Sequence, residues 1–171
     1  MRKVITIAAV FFVGGLMFNW FRAKADELPL GSKLPAVTVN DQDGKPVDLS
    51  KQAEGYTLVY FYPKADTPGC TKQACSLRDA YAELLKVPVR IFGVSTDDEK
   101  EQKAFQEKYK LPFQLLADVD KKVVQAFGVP TTIGLAKREA FLFRNGNLVW
   151  RDTEASTEEQ AKDIMKAISE Q

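Results

Sequence analysis

The chain has 171 residues, of which 45% are hydrophobic and 27% charged, so one ordinary globular domain is expected. Its formal net charge of +1 gives no electrostatic footprint for nucleic acid, and its lack of histidine excludes catalysis by Ser-His or Cys-His pairs. The two cysteines are too few for a four-cysteine zinc or iron–sulfur site, so no metal or cofactor is expected and the chemistry depends on the two thiols.

Residues 1–25 have the composition of a targeting segment. A basic start and an apolar run over residues 4–18 precede an Ala-Lys-Ala pattern that ends at Ala25. These features are typical of a secretory signal peptide, with cleavage after Ala25. The alternative is an uncleaved membrane anchor, because the run is long and Trp20 suits a membrane interface. The prediction is therefore a domain over residues 26–171 that lies in a bacterial periplasm or is anchored to the inner membrane facing it. In such an oxidising compartment a structural disulfide is the default role of two cysteines.

The first half of the domain alternates strand and helix patterns. A turn cluster joins two short strands, residues 37–39 and 47–49, into a predicted hairpin. An apolar, β-rich run over residues 57–62 predicts a central strand. A helix is predicted over residues 68–86, and a second buried strand over residues 89–95.

The second half continues with a helix, a strand and a short helix, predicted over residues 99–109, 113–117 and 121–127. Asn145-Gly146 is the strongest two-residue hairpin signal, and it joins predicted strands over residues 140–144 and 148–151. Thr157 begins a capping-box pattern for the last helix. Because the hairpin is an antiparallel pair, the sheet of this α/β domain is predicted to be mixed, with helices on its faces.

Cys70 lies where the sequence favours a reactive thiol. Thr67 is a good N-cap and Pro68 suits the first helical position, so Cys70 falls in the first turn of a helix. Unpaired backbone N–H groups and the positive end of the helix dipole favour a thiolate there. The alternative is that Cys70 is a small buried hydrophobic residue, as free cysteines often are.

Cys75 follows Cys70 five residues later on the same predicted helix. On a continuous helix this spacing separates the two Cα atoms by roughly 8–9 Å, whereas a disulfide needs less than about 7 Å. A permanent disulfide would therefore require a non-helical segment, and a transient one would require the first turns to unwind. The helical pattern favours a pair that cycles between thiols and disulfide.

The residues around Cys70 resemble a known enzyme family. Pro63, Thr67 and Cys70 fit the Pro-x-x-x-Thr-x-x-Cys signature of peroxiredoxins. The longer run FYPKADTPGCTKQACSLRD resembles the bacterioferritin-comigratory (PrxQ) subfamily, and the similarity extends over roughly residues 28–171. The resemblance implies a thioredoxin-like fold, a monomer, and a thioredoxin-dependent peroxidase of the atypical two-cysteine type. Its substrates would be hydrogen peroxide and organic hydroperoxides.

The resemblance also implies a role for each site residue. Cys70 would attack the peroxide O–O bond and become a sulfenic acid, which Cys75 would resolve as an intramolecular disulfide. Thr67 and the backbone N–H of Cys70 would hold the peroxide oxygens, and Pro63 would shield the thiol from water. Arg138 matches the family's arginine from a distant strand start, whose planar guanidinium favours the thiolate.

Three further features of the sequence lie near this motif. Gln73 stands where the resembled subfamily commonly has glutamate, and the loss of an acid near the thiols is expected to tune their reactivity rather than abolish it. Arg78, with its neighbour Asp79, is expected to support the helix. The segment over residues 130–137 has no marked pattern, and gating of the pocket is a candidate role for it.

Two other functions remain open at this point. One is a thioredoxin-like protein disulfide oxidoreductase of the cell envelope, although thioredoxins place two residues between their cysteines and this chain has four. The other is a non-catalytic binding domain whose thiols form a structural disulfide. A peroxidase would also need a thioredoxin-like reductant, and the predicted location requires that reductant to act outside the cytoplasm.

Overall fold

The computed structural model describes residues 28–171, and the predicted targeting segment over residues 1–25 lies outside them. In chain order the strands are β1 Thr38–Asn40, β2 Pro46–Asp48, β3 Tyr56–Phe61, β4 Val89–Ser95, β5 Gln114–Ala117, β6 Thr131–Thr132, β7 Leu135–Ala136, β8 Glu139–Arg144 and β9 Asn147–Asp152. The helices are α1 Pro68–Asp79, α2 Tyr81–Leu84, α3 Glu99–Tyr109, α4 Lys122–Ala126 and α5 Gln160–Ser169, with a 3₁₀ turn at Leu49–Gln52.

A five-stranded mixed sheet with the order β5-β4-β3-β8-β9 forms the centre of the fold. Strands β3, β4 and β5 are parallel, whereas β8 runs antiparallel to β3 and β9 antiparallel to β8. Strand β3 lies in the middle, and five of its six residues are buried, as expected for a strand covered on both faces. The predicted mixed sheet is therefore present, and the chain leaves the end of its central strand to enter α1.

The two faces of the sheet bury separate apolar clusters. Alternate residues of β3 point to opposite faces, so Tyr60 joins α1, α3 and α5 on one side, together with Tyr62 just after the strand. Val59 and Phe61 pack against α4 and Phe127 on the other side. Burial of these side chains holds α1 against the sheet and so fixes the position of its first turn relative to β3.

Two predicted helix boundaries are wrong. The helix predicted over residues 68–86 is interrupted, because α1 ends at Asp79 and only the short α2 follows. The last helix begins at Gln160 rather than at Thr157. The hydroxyl of Ser156 accepts hydrogen bonds from the backbone N–H groups of Glu158 and Glu159, at 3.2 and 2.9 Å, and this turn precedes the helix in place of the predicted capping box.

The segment over residues 130–137, for which no element was predicted, contains the small hairpin β6–β7. Its turn residues Ile133 and Gly134 have φ values of 51° and 81°, which match a two-residue hairpin turn. Within residues 28–171, none of the helices is both long and apolar enough to cross a membrane.

Candidate active site

The first turn of α1 carries Cys70, whose side chain is 1% exposed. Thr67 occupies the N-cap position with extended backbone angles, and Pro68 is the first helical residue, as predicted. The Thr67 hydroxyl does not cap the helix, however, because it donates to the carbonyl oxygen of Lys64 at 3.0 Å. That bond uses its proton and leaves the lone pairs of the Thr67 oxygen as acceptors beside the helix start.

Arg138 reaches Cys70 from the start of β8, the strand that pairs with β3. It directly precedes β8, and Glu139 of β8 pairs in register with Phe61 at the end of β3. This pairing brings the arginine to the edge of the sheet from which the chain enters α1. Its Nη2 lies 3.4 Å from Sγ of Cys70, so the structure brings these two predicted site residues together. A Cβ at Gly69 would lie only 3.3 Å from the same nitrogen, so the missing side chain leaves room for the guanidinium.

Two buried glutamines extend a chain of hydrogen bonds from Arg138 on the side away from the thiol. Nη1 of Arg138 donates to Oε1 of Gln73, and Nε2 of Gln73 donates to Oε1 of Gln160 at 2.7 Å. Both glutamine side chains are fully buried. No motif in the sequence indicates Gln160, because it lies 87 residues beyond Gln73 and glutamine is ordinarily a surface residue.

Cys75 lies on the same unbroken helix and is partly exposed, and both thiols are free. The helix geometry therefore keeps the two Cα atoms roughly 8–9 Å apart, beyond disulfide reach. Arg78 donates to Asp79 at 2.8 Å and to the carbonyl oxygen of Tyr109 at 2.9 Å. The bond to Asp79 and the nearby Cys75 together raise the pKa of Arg78 above its usual value. Arg78 thus supports α1, as predicted, and also lies beside the second thiol.

The buried Asp97 holds the loop between β3 and α1, which contains the half-buried Pro63. The carboxylate of Asp97 accepts three hydrogen bonds of 2.7 Å, from Nζ of Lys64, the backbone N–H of Ala65 and the hydroxyl of Ser95. Burial opposes ionisation of this carboxyl, but the hydrogen bonds outweigh burial and lower the pKa of Asp97 below its ordinary value. Asp97 therefore fixes the loop that carries Pro63 and Thr67.

Replacing Asp97 by asparagine is expected to destabilise the protein by about 1–3 kcal/mol at neutral pH, since charge-assisted hydrogen bonds are lost. The lowered pKa of Asp97 means that its stabilisation is present above the ordinary value of 3.8 and is lost as the pH falls below it. The free energy of unfolding, measured in urea as a function of pH, should therefore fall less steeply in acid for this variant than for the unaltered protein. Asp120→Asn, at an exposed position, is the control and should show the same decrease as the unaltered protein. The same decrease in Asp97→Asn would contradict this account.

Known proteins resemble this chain in both sequence and fold. The model of the AhpC/TSA family matches residues 30–151. The chain is 48% identical, over 68% of its own length and 56% of the relative's, to a protein of Suaeda salsa named peroxiredoxin Q, chloroplastic. Among solved structures, peroxidoxin BcpB of Mycobacterium tuberculosis superposes with a TM-score of 0.78 at 30% identity, over 84% of this chain and 98% of the other.

A bacterioferritin comigratory protein of Xanthomonas campestris, described together with its alkyl peroxide reduction activity, superposes with a TM-score of 0.76 at 27% identity. The match covers 83% of this chain and 98% of the other. The predicted thioredoxin-like α/β fold is confirmed by this likeness. The chain spans about half to two thirds of the length of the curated relatives that it matches.

The predicted location in a bacterial periplasm or at its inner membrane is wrong. The matching relatives from Suaeda salsa, Sedum lineare and Arabidopsis thaliana are named as chloroplastic proteins, which points to a plastid instead. A basic, acid-free segment is common to secretory signals and to plastid transit peptides, so this feature of residues 1–25 does not distinguish the two destinations. The argument for a structural disulfide from an oxidising compartment loses its basis with that location.

Proposed function

Because the chain belongs to the AhpC/TSA family and is similar to peroxiredoxin Q, we propose that it is a thiol peroxidase acting on hydrogen peroxide and organic hydroperoxides. One observation carries the proposal above all others. The guanidinium of Arg138 lies 3.4 Å from the sulfur of Cys70, which is buried in the first turn of a helix. The alkyl peroxide reduction described for the Xanthomonas campestris protein supports the same substrate class.

In the first step the Cys70 thiolate attacks one peroxide oxygen. An S–O bond forms, the O–O bond breaks, and the leaving oxygen departs as water or an alcohol after it takes up a proton. The positive charge of Arg138 stabilises the thiolate and the negative charge that develops on the leaving oxygen. Backbone N–H groups in the first helical turn have no partners within the helix, so the N–H of Cys70 is available to a peroxide oxygen.

Thr67 and Pro63 complete the binding of the peroxide. Because the Thr67 hydroxyl donates to the Lys64 carbonyl, its oxygen is left to accept the O–H of the substrate. Pro63 has no N–H and stands at the start of the same loop, where it limits the access of water to the sulfur. These roles extend the contacts described above to a bound substrate.

In the second step Cys75 resolves the Cys70 sulfenic acid. The thiol of Cys75 attacks the oxidised sulfur, a disulfide forms, and one water molecule leaves. Since an intact α1 holds the cysteines too far apart, the first turns of α1 unwind before the disulfide closes. A thioredoxin-like dithiol protein then reduces the disulfide and allows α1 to form again.

A thiol count on the unaltered protein tests this function. Reduced protein is mixed with one equivalent of hydrogen peroxide, and free thiols, residual peroxide and intact mass are measured. We expect the peroxide and both thiols to disappear together, with a mass loss of two hydrogen atoms. Protein alkylated at both cysteines beforehand is the control and should consume no peroxide. Persistence of peroxide and thiols would show that the function is wrong, and reduction of insulin without peroxide consumption would favour a protein disulfide oxidoreductase.

A further inference from the structure

We propose that Gln160, the first residue of α5, is a positioning residue that fixes the orientation of the Gln73 amide and thereby aims Arg138 at Cys70. The inference rests on the proposed function, because it concerns the reactivity of the thiol assigned there to attack the peroxide. The side-chain oxygen of Gln160 bonds to Gln73 and not to the thiol or the guanidinium, so it acts through Gln73.

The chemistry of the three side chains allows one arrangement only. A guanidinium has hydrogen-bond donors and no acceptor, whereas a glutamine amide has an oxygen that accepts and an NH₂ group that donates. Arg138 can therefore bond only to the oxygen of Gln73, and this leaves the NH₂ of Gln73 turned toward Gln160. The oxygen of Gln160 accepts from that NH₂ at 2.7 Å. If the acceptor at Gln160 were absent, the NH₂ of Gln73 would lose its partner, and the contact with Arg138 alone would hold the Gln73 amide in this orientation.

The other end of the Gln160 amide shows that packing does not account for this residue. Its Nε2 is buried and has no hydrogen-bond partner among the described residues, although Gln160 is fully buried. Leaving a buried donor unpaired is unfavourable. Methionine has a similar length and would fill the same space without that donor. What glutamine provides and methionine lacks is the oxygen that accepts from Gln73.

The planar guanidinium carries this orientation to the sulfur. Arg138 uses Nη1 for Gln73 and Nη2 for Cys70, and the two nitrogens have a fixed geometry within one rigid plane. Holding one nitrogen therefore aims the other. Because Gln73 is neutral, it holds the guanidinium without cancelling its charge, and that charge remains available to the Cys70 thiolate.

A double-mutant cycle on the reactivity of Cys70 tests the inference. The rate of alkylation of Cys70 by iodoacetamide at pH about 7 is measured in the Cys75→Ser background, in which Cys70 is the only thiol. Gln160→Met should lower this rate on the order of tenfold, since a charge-assisted hydrogen bond loses its alignment. A carboxylate accepts with either oxygen and needs no orientation, so in the Gln73→Glu background the same substitution should change the rate less than about twofold.

Ser76→Ala is the matched control. The Ser76 hydroxyl donates to the carbonyl oxygen of Glu158 at 3.1 Å and accepts from the backbone N–H of Ala161 at 3.3 Å, so its hydrogen bonds link α1 to the start of α5 and do not involve Gln73. Its loss should lower stability and leave the alkylation rate of the folded protein unchanged. A general loosening between α1 and α5 would instead lower the rate in Ser76→Ala as well.

Three results would overturn the inference. They are an unchanged rate in Gln160→Met, an equal loss in both Gln73 backgrounds, and a rate in Ser76→Ala as low as in Gln160→Met. Gln160→Leu in the same backgrounds is the second variant if the methionine variant does not fold. The unaltered protein offers a further test, because the Gln73 side-chain amide protons should exchange much more slowly than those of the exposed Gln125. Equal exchange would also overturn the inference.

Alkylation separates this inference from the proposed function, because it does not require peroxide. If the protein consumes no peroxide and the cycle still shows coupling between Gln160 and Gln73, the function is wrong and the positioning role stands. If peroxide is consumed and the cycle shows no coupling, the positioning role alone is wrong.

Discussion

Replacing Cys70 by serine is expected to abolish peroxide reduction. A serine hydroxyl stays protonated at neutral pH even beside Arg138, because its pKa lies far above that of a thiol, and it does not supply the sulfur that accepts an oxygen atom. The turnover number should fall on the order of 10³-fold or more, as in other enzymes that lose their nucleophile. The measurement is the initial rate of hydrogen peroxide loss with a thioredoxin system in excess.

The fold of Cys70→Ser should survive, because the change replaces one buried atom by a slightly smaller one. Urea unfolding of this variant and of the unaltered protein establishes that both are folded under assay conditions. Ser76→Ala, on the same helix but away from the sulfur, is the control and should retain peroxide turnover. Peroxide reduction by Cys70→Ser at more than a trace would show that Cys70 is not the nucleophile and would remove the basis of the proposed function.

The sequence allowed the outline of the candidate site to be predicted because that part is local. Thr67, Pro68 and Cys70 are neighbours, and the rules for helix starts place them without knowledge of the rest of the fold. Arg138 was identified through resemblance to the peroxiredoxins, a resemblance that the family match confirms. Its 3.4 Å approach to Cys70 depends on the antiparallel pairing of β8 with β3, which no local pattern specifies.

The long-range supports of the site were not predictable in the same way. Asp97 and Asp98 are both of a type that can cap the start of α3. Asp98 does so, with its carboxylate accepting from the backbone N–H of Glu101 at 2.8 Å. Asp97 instead turns to the loop before α1. Adjacent, chemically identical residues thus take different roles because only tertiary packing decides which of them is buried. The Gln73–Gln160 pair has no sequence signature for the same reason.

Replacing Cys75 by serine is expected to halt the reaction after one peroxide per protein molecule. Cys70 and Arg138 are untouched, so the first equivalent should be consumed at close to the parental rate. The oxidised Cys70 then has no thiol partner on α1, and the sulfenic acid accumulates. Intact mass spectrometry should show the addition of one oxygen atom, and turnover with a thioredoxin system should fall on the order of 100-fold or more.

The two cysteine variants distinguish the attack on peroxide from the resolution of the sulfenic acid, because they should consume different amounts of peroxide. Cys70→Ser should consume nothing, whereas Cys75→Ser should consume one equivalent in a rapid phase and then stop. Arg78→Gln is a useful control for the second variant, since it alters the surroundings of Cys75 and keeps its thiol, and it should continue to turn over. If Cys75→Ser cycled at the parental rate with the thioredoxin system, resolution would not require Cys75. The unwinding of α1 between the two cysteines would then have no place in the mechanism.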